Sequence, residues 1–421
     1  MRALLLAVLI AGFGAGDSAF AQLTTQETPE AIVVSQGAAP VWRIKLDLKQ
    51  GGVVTALHLS DGPNLVADNG SFTGMFNLFA CDIREGAQNA ARDGGVAKTL
   101  LKSRGKVESA RVIERTPGRI AVEIKGWSTG WRLLGPAGEK LLDYRQTFTF
   151  EPRRVICDGE ATWVYGYDTR PVEVAMLNYF APNSVAFPVR LAGADGKWQE
   201  LPLVWNSGAP FPKGMKHPAT AEIWFRSGQR LLVRSVKVPQ NWSDCPWYKY
   251  ERPWQTDWQP LFGFSGNTEA CATRYPVRQP IAYRLEMEVP AEPPLNTPPF
   301  VEITKPLRGV VTDMEDPELY SGLRFKPGGI IQFEATARDK EDGRLAGTAI
   351  EWTVYKRGIE PFAAGTGTSF RFTLPETTNE LWWVTATAKD SQGLRGIDYI
   401  TFKADVKTKA DVKTKIGRAH V

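Results

Sequence analysis

The chain has 421 residues and a formal net charge of +5; 43% of its residues are hydrophobic and 23% charged. Three of the five charges sit in residues 404–421, where Lys407, Lys409, Lys413, Lys415 and Arg418 outweigh Asp405 and Asp411, and Arg2 cancels Asp17, leaving +2 for the body. So small a surplus excludes the electrostatic footprint of a nucleic-acid or polyphosphate binder and leaves a mildly anionic polysaccharide as an admissible partner.

Met1-Arg2, an apolar run from Ala3 to Phe13 and the triplet Ala19-Phe20-Ala21 open the chain. A positive start, a short apolar stretch and an A-x-A site predict a signal peptide over 1–21 and a secreted or periplasmic bacterial protein. The run is shorter than the ~20 residues of a spanning helix, and no later segment is apolar enough, so no membrane span is expected.

Residues 22–290 read as one large β-sandwich domain. Trp42, Ile44, Leu46 and Leu48 alternate with Arg43, Lys45 and Asp47. Gln50-Gly51-Gly52 turns into Val53 to Leu59, where His58 alternates with Val54 and Ala56 and reads as structural. Residues 70–103 break the alternation and predict a short helix or a long loop. Ile120, Val122 and Ile124 share one strand face; Tyr144, Gln146, Phe148 and Phe150 share another. Period-two alternation with Gly/Pro punctuation predicts antiparallel strands with one buried face.

The stretch Val155 to Arg170 supplies the first chemical candidates. As a strand it places Ile156, Asp158 and Glu160 on one face. Two adjacent carboxylates suit acid/base cleavage of a glycosidic bond, one with a raised pKa. Alternatively Tyr165 or Tyr167 would support β-elimination, with Arg170 neutralising a uronate carboxylate. The plainer reading is a solvated acidic strand face and a Tyr-rich rim. Glu173, Asn178, Tyr179 and Asn183 follow, as an extension of the same face or as ordinary edge polarity. His217 lies in the loop Pro210 to Pro218, and a lone loop histidine is either a base near neutral pH or incidental to the chemistry. Ala221 to Arg226 and Arg230 to Val238 flank a Ser227-Gly228-Gln229 turn, and Ile281, Tyr283, Leu285, Met287 and Val289 close the domain.

The densest signal is the stretch 242–258. Trp242, Trp247, Trp254, Trp258, Tyr248 and Tyr250 are interleaved there with Asp244, Lys249, Glu251, Arg252 and Asp257. Flat rings beside charged groups suit a pyranose, which offers an apolar C–H face and a rim of hydroxyls. The alternative is that the indoles plug the end of the sandwich. Cys81, Cys157, Cys245 and Cys271 are an even count in an exported chain, which favours disulfides. Cys245–Cys271 is the preferred pair because it would close the aromatic loop. Buried free thiols are the alternative for Cys81 and Cys157. There is no CxxC and little histidine for zinc.

Val289 to Pro299 holds five prolines in eleven residues and predicts a stiff linker over 291–299. Beyond it, residues 300–403 carry short strands at even spacing, with Trp352 as a core anchor. The acidic turn Asp339, Glu341, Asp342 offers oxygen ligands suited to Ca2+, or is a tight hairpin connection; no other cofactor is expected. Residues 404–421 repeat ADVKTK and end in Ile-Gly-Arg-Ala-His-Val, which resembles a translated sequencing adapter. They read as an unstructured tail of sequencing or cloning origin, or as a solvated basic tail.

Two resemblances sit on these residues. Val301 to Pro306, Phe333 to Asp339 with Glu341-Asp342-Gly343, Ile350-Glu-Trp352 and Val384 to Asp390 resemble the bacterial Ig-like/PKD-type modules of secreted enzymes. That implies a spacer or weak binder. Trp42 to Leu48, Gly51-Gly52-Val53-Val54, Leu57 to Gly62 and Asn64-Leu65-Val66 resemble the galactose-mutarotase-like β-supersandwich. That family includes sugar epimerases, polysaccharide lyases and accessory domains of glycoside hydrolases. Its mutarotases use paired histidines with a carboxylate, whereas the body here holds only His58 and His217, so mutarotase catalysis does not carry over.

No GxSxG elbow, Walker loop, dinucleotide fingerprint or HExxH is present. The expectation is an all-β protein, a large antiparallel supersandwich followed by an Ig-like sandwich. It would act on a polysaccharide or oligosaccharide, cleaving it as a lyase or glycoside hydrolase. The alternative is a non-catalytic glycan-binding or cell-envelope protein, and a third reading is a scaffold whose aromatic loop binds another protein. Asp158, Glu160, Tyr165, Tyr167, Glu173 and His217 are the catalytic candidates. Arg170, Tyr179, Trp242, Trp247, Tyr248, Arg252, Trp254 and Trp258 are the substrate-binding candidates.

Overall fold

The computed structural model describes residues 22–37, 42–66, 74–82, 106–129, 140–164, 170–180, 185–200, 219–237, 246–250, 260–265, 274–275, 278–290, 295–307, 323–356, 361–376 and 381–404. Its regular structure is almost entirely β. In chain order the first body holds β1 (Leu23–Glu27), β2 (Ala31–Gln36), β3 (Trp42–Asp47), β4 (Val53–Leu59), β5 (Asn77–Asp82), β6 (Lys106–Thr116), β7 (Arg119–Thr129), β8 (Lys140–Glu151) and β9 (Arg154–Trp163). It continues with β10 (Arg170–Tyr179), β11 (Val185–Ala192), β12 (Trp198–Glu200), β13 (Ala219–Phe225), β14 (Arg230–Lys237), β15 (Pro246–Tyr250), β16 (Pro260–Ser265), β17 (Arg274–Tyr275) and β18 (Pro280–Glu288). The second body holds β19 (Phe300–Lys305), β20 (Leu323–Phe325), β21 (Ile330–Asp339), β22 (Gly343–Arg344), β23 (Ile350–Lys356), β24 (Pro361–Thr366), β25 (Ser369–Thr373), β26 (Leu381–Lys389) and β27 (Arg395–Ala404).

A long antiparallel run, β11-β13-β14-β18-β9-β8-β7-β6, forms the backbone of the first body. Alternation sorts its two faces as the sequence predicts. Ile120, Val122, Ile124, Phe148, Phe150, Leu285 and Val233 point inward and are fully buried. The sheet β1-β2-β3-β4 covers that inner face: the Trp42 and Phe150 rings lie 6.0 Å apart and Tyr144 Oη donates to the Gly51 carbonyl at 3.0 Å. Gly51 and Gly52 turn β3 into β4 with φ of +77° and +81°, and a Cβ on Gly52 would lie 2.6 Å from Ile124 Cδ1. Only glycine meets both demands.

The outer face is a lattice of ion pairs. Glu123 accepts from Arg111 at 2.7 Å and Arg145 at 2.6 Å; Glu222 accepts from Arg190 at 2.9 Å and Arg230 at 3.0 Å. Arg234 pairs with Glu288, and Arg154 with Glu151. The Arg111 guanidinium beside Glu123 holds its carboxyl below the usual carboxylate range. Opposite charges thus meet across neighbouring strands.

One segment departs from its expectation. Residues 77–82 form β5, a strand, where the sequence predicts a short helix or a long loop; the rest of 83–103 lies outside the described residues. Leu78-Phe79-Ala80-Cys81 is a continuous apolar run, so it offers no period-two signal.

The second body has its own apolar cluster, with Phe333, Trp352, Val384, Ala386 and Phe402 at its centre. Trp352 is 1% exposed and its Nε1 donates to the Gly367 carbonyl at 2.7 Å. The two bodies also share structure. Phe187 in β11 pairs with Ile397 in β27, and Trp383 and Tyr399 belong to the apolar cluster of the first body. Asp398 accepts from Arg226 at 2.6 Å and from the Ile303 N–H at 2.8 Å. The described part of the proline-rich stretch lies along the second body: Thr297 donates its N–H and hydroxyl to Glu341, and Asn296 donates to Asp390 at 2.6 Å.

Candidate functional site

A second sheet of the first body, β15-β16-β10-β17 with β5 on β10, gathers several of the candidates. β10 is its hub, flanked by β16 on one side and β5 on the other. The register sets three rows: Leu177, Gly263 and Trp247; Asn178, Phe262 and Tyr248; Tyr179, Leu261 and Lys249. By strand alternation Glu173 and Tyr179 fall on the same face as Trp247 and Lys249, whereas Arg170 and Tyr248 fall on the opposite face. Glu173 stands opposite Cys81, and Arg170 opposite Tyr275. Glu173 and Tyr179 stand six residues, roughly 20 Å, apart along β10, and Tyr179 is the nearer of the two to the row of Trp247. Tyr165, Tyr167, His217, Trp242, Arg252, Trp254 and Trp258 lie outside the described residues, as do Cys245 and Cys271.

Asp158 and Glu160 occupy β9, on the other side of the molecule. Both are exposed, while Cys157, Gly159 and Ala161 between and beside them are buried. They share one face, as the spacing predicts, but it is the outer, ion-paired face. In register, Asp158 sits between Thr147 and Arg284, and Glu160 between Arg145 and Ala282. Asp158 lies 3.8 Å from Arg284, which also contacts Glu286 at 3.3 Å. The β5–β10 sheet approaches from the inner side. Phe76, just before β5, packs 5.8 Å from Phe148, and Phe180, just after β10, packs 5.8 Å from Phe225. The Asp158–Glu160 pair and the β10 face therefore do not converge.

The inner face carries a polar group that the alternation hides. Gln146 is 2% exposed, and its Nε2 donates to the Phe76 carbonyl at 3.2 Å and to Tyr283 Oη at 3.1 Å. Burial pushes the Tyr283 phenol and the neighbouring Cys157 thiol well up. Cys157 is free, so of the two readings of this cysteine the structure takes the buried thiol. A thiol so desolvated stays protonated and makes a poor nucleophile. His58 Nδ1 lies 3.0 Å from the Gly62 carbonyl, closing its own turn.

Among the described residues no group of three or more His, Cys, Asp or Glu side chains is placed to hold a metal ion. The acidic turn works as a hydrogen-bonded clamp. Asp339 Oδ1 accepts from the N–H groups of Glu341 (2.8 Å) and Asp342 (2.7 Å); Asp342 accepts from the Ser391 N–H at 2.6 Å. Asp339 Oδ2 is buried without a hydrogen-bond partner, and burial pushes this carboxyl up. A raised folded-state pKa means the native protein holds its proton longer than the unfolded chain, so stability falls as pH rises from the usual aspartate value to the raised one. Asp339→Asn keeps Oδ1 for both N–H donors and never ionises. It is expected to melt above the parent at pH 7, with the gap closing towards about pH 4; calorimetry across that range checks it.

No protein-family model matches the sequence, and no curated protein sequence does. Among solved structures, a galactose mutarotase-like protein from Clostridium acetobutylicum aligns at 7% identity and a TM-score of 0.39, over 64% of this chain and 98% of its own. A galactose mutarotase related enzyme from Lactobacillus acidophilus aligns at 10% identity and 0.34, over 64% and 97%. A heparinase III aligns at 8% identity and 0.36, over 84% of this chain and 42% of its own. At these identities and scores the similarity places no residue and no chemistry on this chain, and its all-β architecture rests on its own strands.

Proposed function

We propose that this is an exported carbohydrate-active protein that cleaves a uronate-containing polysaccharide by β-elimination, on the β15-β16-β10 face. The observation that carries the reading is the register that sets Glu173 and Tyr179 on the same sheet face as Trp247, two strands away. The indole would stack on a sugar ring. Tyr179, as phenolate, would take the C5 proton and return it to the departing O4 oxygen as the C4–O bond breaks. Lyase chemistry is preferred to hydrolysis because a hydrolase needs two carboxyls about 5–9.5 Å apart across one bond. The adjacent pair in this chain, Asp158 and Glu160, lies on the outer face beside Arg284.

A second reading, glycan binding without cleavage, is favoured by that same outward placement. Incubating the purified chain with neutral and uronic polysaccharides separates the readings. New reducing ends with the absorbance of an unsaturated uronate support the lyase. Reducing ends alone support a hydrolase. Retention in a polysaccharide gel without either supports binding only. Inertness in every assay overturns the carbohydrate assignment.

A further inference from the structure

Away from the β10 sheet, we propose that Trp198 with Arg190 forms a separate binding platform for a uronate-bearing pyranoside. Trp198 opens the short strand β12, which among the described strands pairs with β11 alone. The register sets Trp198 opposite Ala192 and Glu200 opposite Arg190, so Trp198, Glu200 and Arg190 share the outer face. Trp198 is 42% exposed.

Arg190 is fixed beside it. Its guanidinium carbon lies 5.2 Å from the indole centroid, a cation–π contact. Its Nη1 donates to Glu222 at 2.9 Å, and Glu222 is 4% exposed and also grips Arg230. No other described group accepts from Arg190, so its remaining N–H donors are available. Glu200 is occupied by Arg395 from the second body, through Nε at 2.9 Å and Nη2. Three arginines against two glutamates leave a local surplus of positive charge.

The neighbouring pair shows what a purely structural version looks like. Arg230 lies 5.6 Å from the centroid of Trp224, is held by the same Glu222, and that indole is only 3% exposed. Trp198 repeats the arrangement with its ring uncovered. An uncovered indole beside a clamped guanidinium with spare donors matches a pyranose C–H face next to a carboxylate. The platform lies on the outer face, apart from the β10 face, and does not depend on cleavage there.

The test is fluorine NMR of the full chain labelled with 5-fluorotryptophan. The resonance lost in Trp198→Phe identifies Trp198. Titration with trigalacturonate is expected to shift that resonance saturably, whereas cellotriose of equal length leaves it nearly still. Arg190→Lys, checked for an unchanged circular dichroism spectrum, is expected to weaken trigalacturonate binding about tenfold by losing the planar fork. A Trp198 resonance unmoved by trigalacturonate overturns the proposal in the wild-type chain alone, whatever the variant does. An equal response to cellotriose overturns the uronate assignment. Because the signal belongs to one side chain, loss of cleavage elsewhere does not mimic either result.

Discussion

Asp398→Ala is expected to lower the unfolding free energy by about 3–5 kcal/mol and to turn one unfolding transition into two. Asp398 is 1% exposed on β27. It accepts from Arg226, on the turn after β13, and from the Ile303 N–H in β19, so one carboxylate ties β27 to β19 and to that turn, joining the two bodies. Removing it strands the Arg226 guanidinium, whose Nε is already buried without a partner. An orphaned, part-buried cation is the costly outcome, more than the loss of the pair itself. Arg226 also lies 5.6 Å from the Phe300 ring at the start of β19, so its displacement loosens the junction further. Calorimetry and urea titration read both consequences. A single transition with a loss below about 1 kcal/mol would show that Trp383 and Tyr399, packed into the first cluster, hold the joint without the ion pair.

That joint marks the limit of what the chain discloses before folding. Alternation in 120–124 and 144–150 gives the strands, their buried face and even the odd polar member, Gln146, because period two is a local property. It also places Asp158 and Glu160 on one face. It does not say which side of the sheet is covered, since that is decided by β1–β4 and by Phe76 and Phe180, all distant in sequence. A carboxylate pair that reads as catalytic in one dimension stands beside Arg284 on the outer, ion-paired face in three. The proline-rich stretch reads as a spacer by composition, yet Thr297 and Asn296 fasten it to Glu341 and Asp390. Those partners are 44 and 94 residues away, and no local pattern announces them. Trp198 carries no mark in the sequence because a lone tryptophan after a Gly-Lys turn has no periodicity; its exposure and the clamped Arg190 single it out.

Gly159→Ala should destabilise the protein by about 1–3 kcal/mol from overpacking, with a further ~1–3 kcal/mol if the Tyr283 hydroxyl loses its partner. Gly159 is an inward-facing position of β9 between Cys157 and Ala161, and Tyr283 stands opposite it in β18. The Tyr283 ring fills the space above the glycine, so a Cβ there would overlap Cζ, Cε2 and Oη. Tyr283 is 2% exposed, and a shift of its ring disturbs Gln146, which donates to its hydroxyl and to the Phe76 carbonyl. Phe76 in turn packs on Phe148 and leads directly into β5. One added methyl therefore pushes on the contact that seats the β5–β10 sheet against the large one. The cause is separable from a general loss of glycine flexibility. In a Tyr283→Leu background the smaller side chain leaves room for the methyl, so adding Gly159→Ala should cost little, and the double-mutant cycle should show coupling of at least about 1 kcal/mol. Equal costs of Gly159→Ala in the two backgrounds would mean that the β9 backbone, and not the tyrosine ring, demands the glycine.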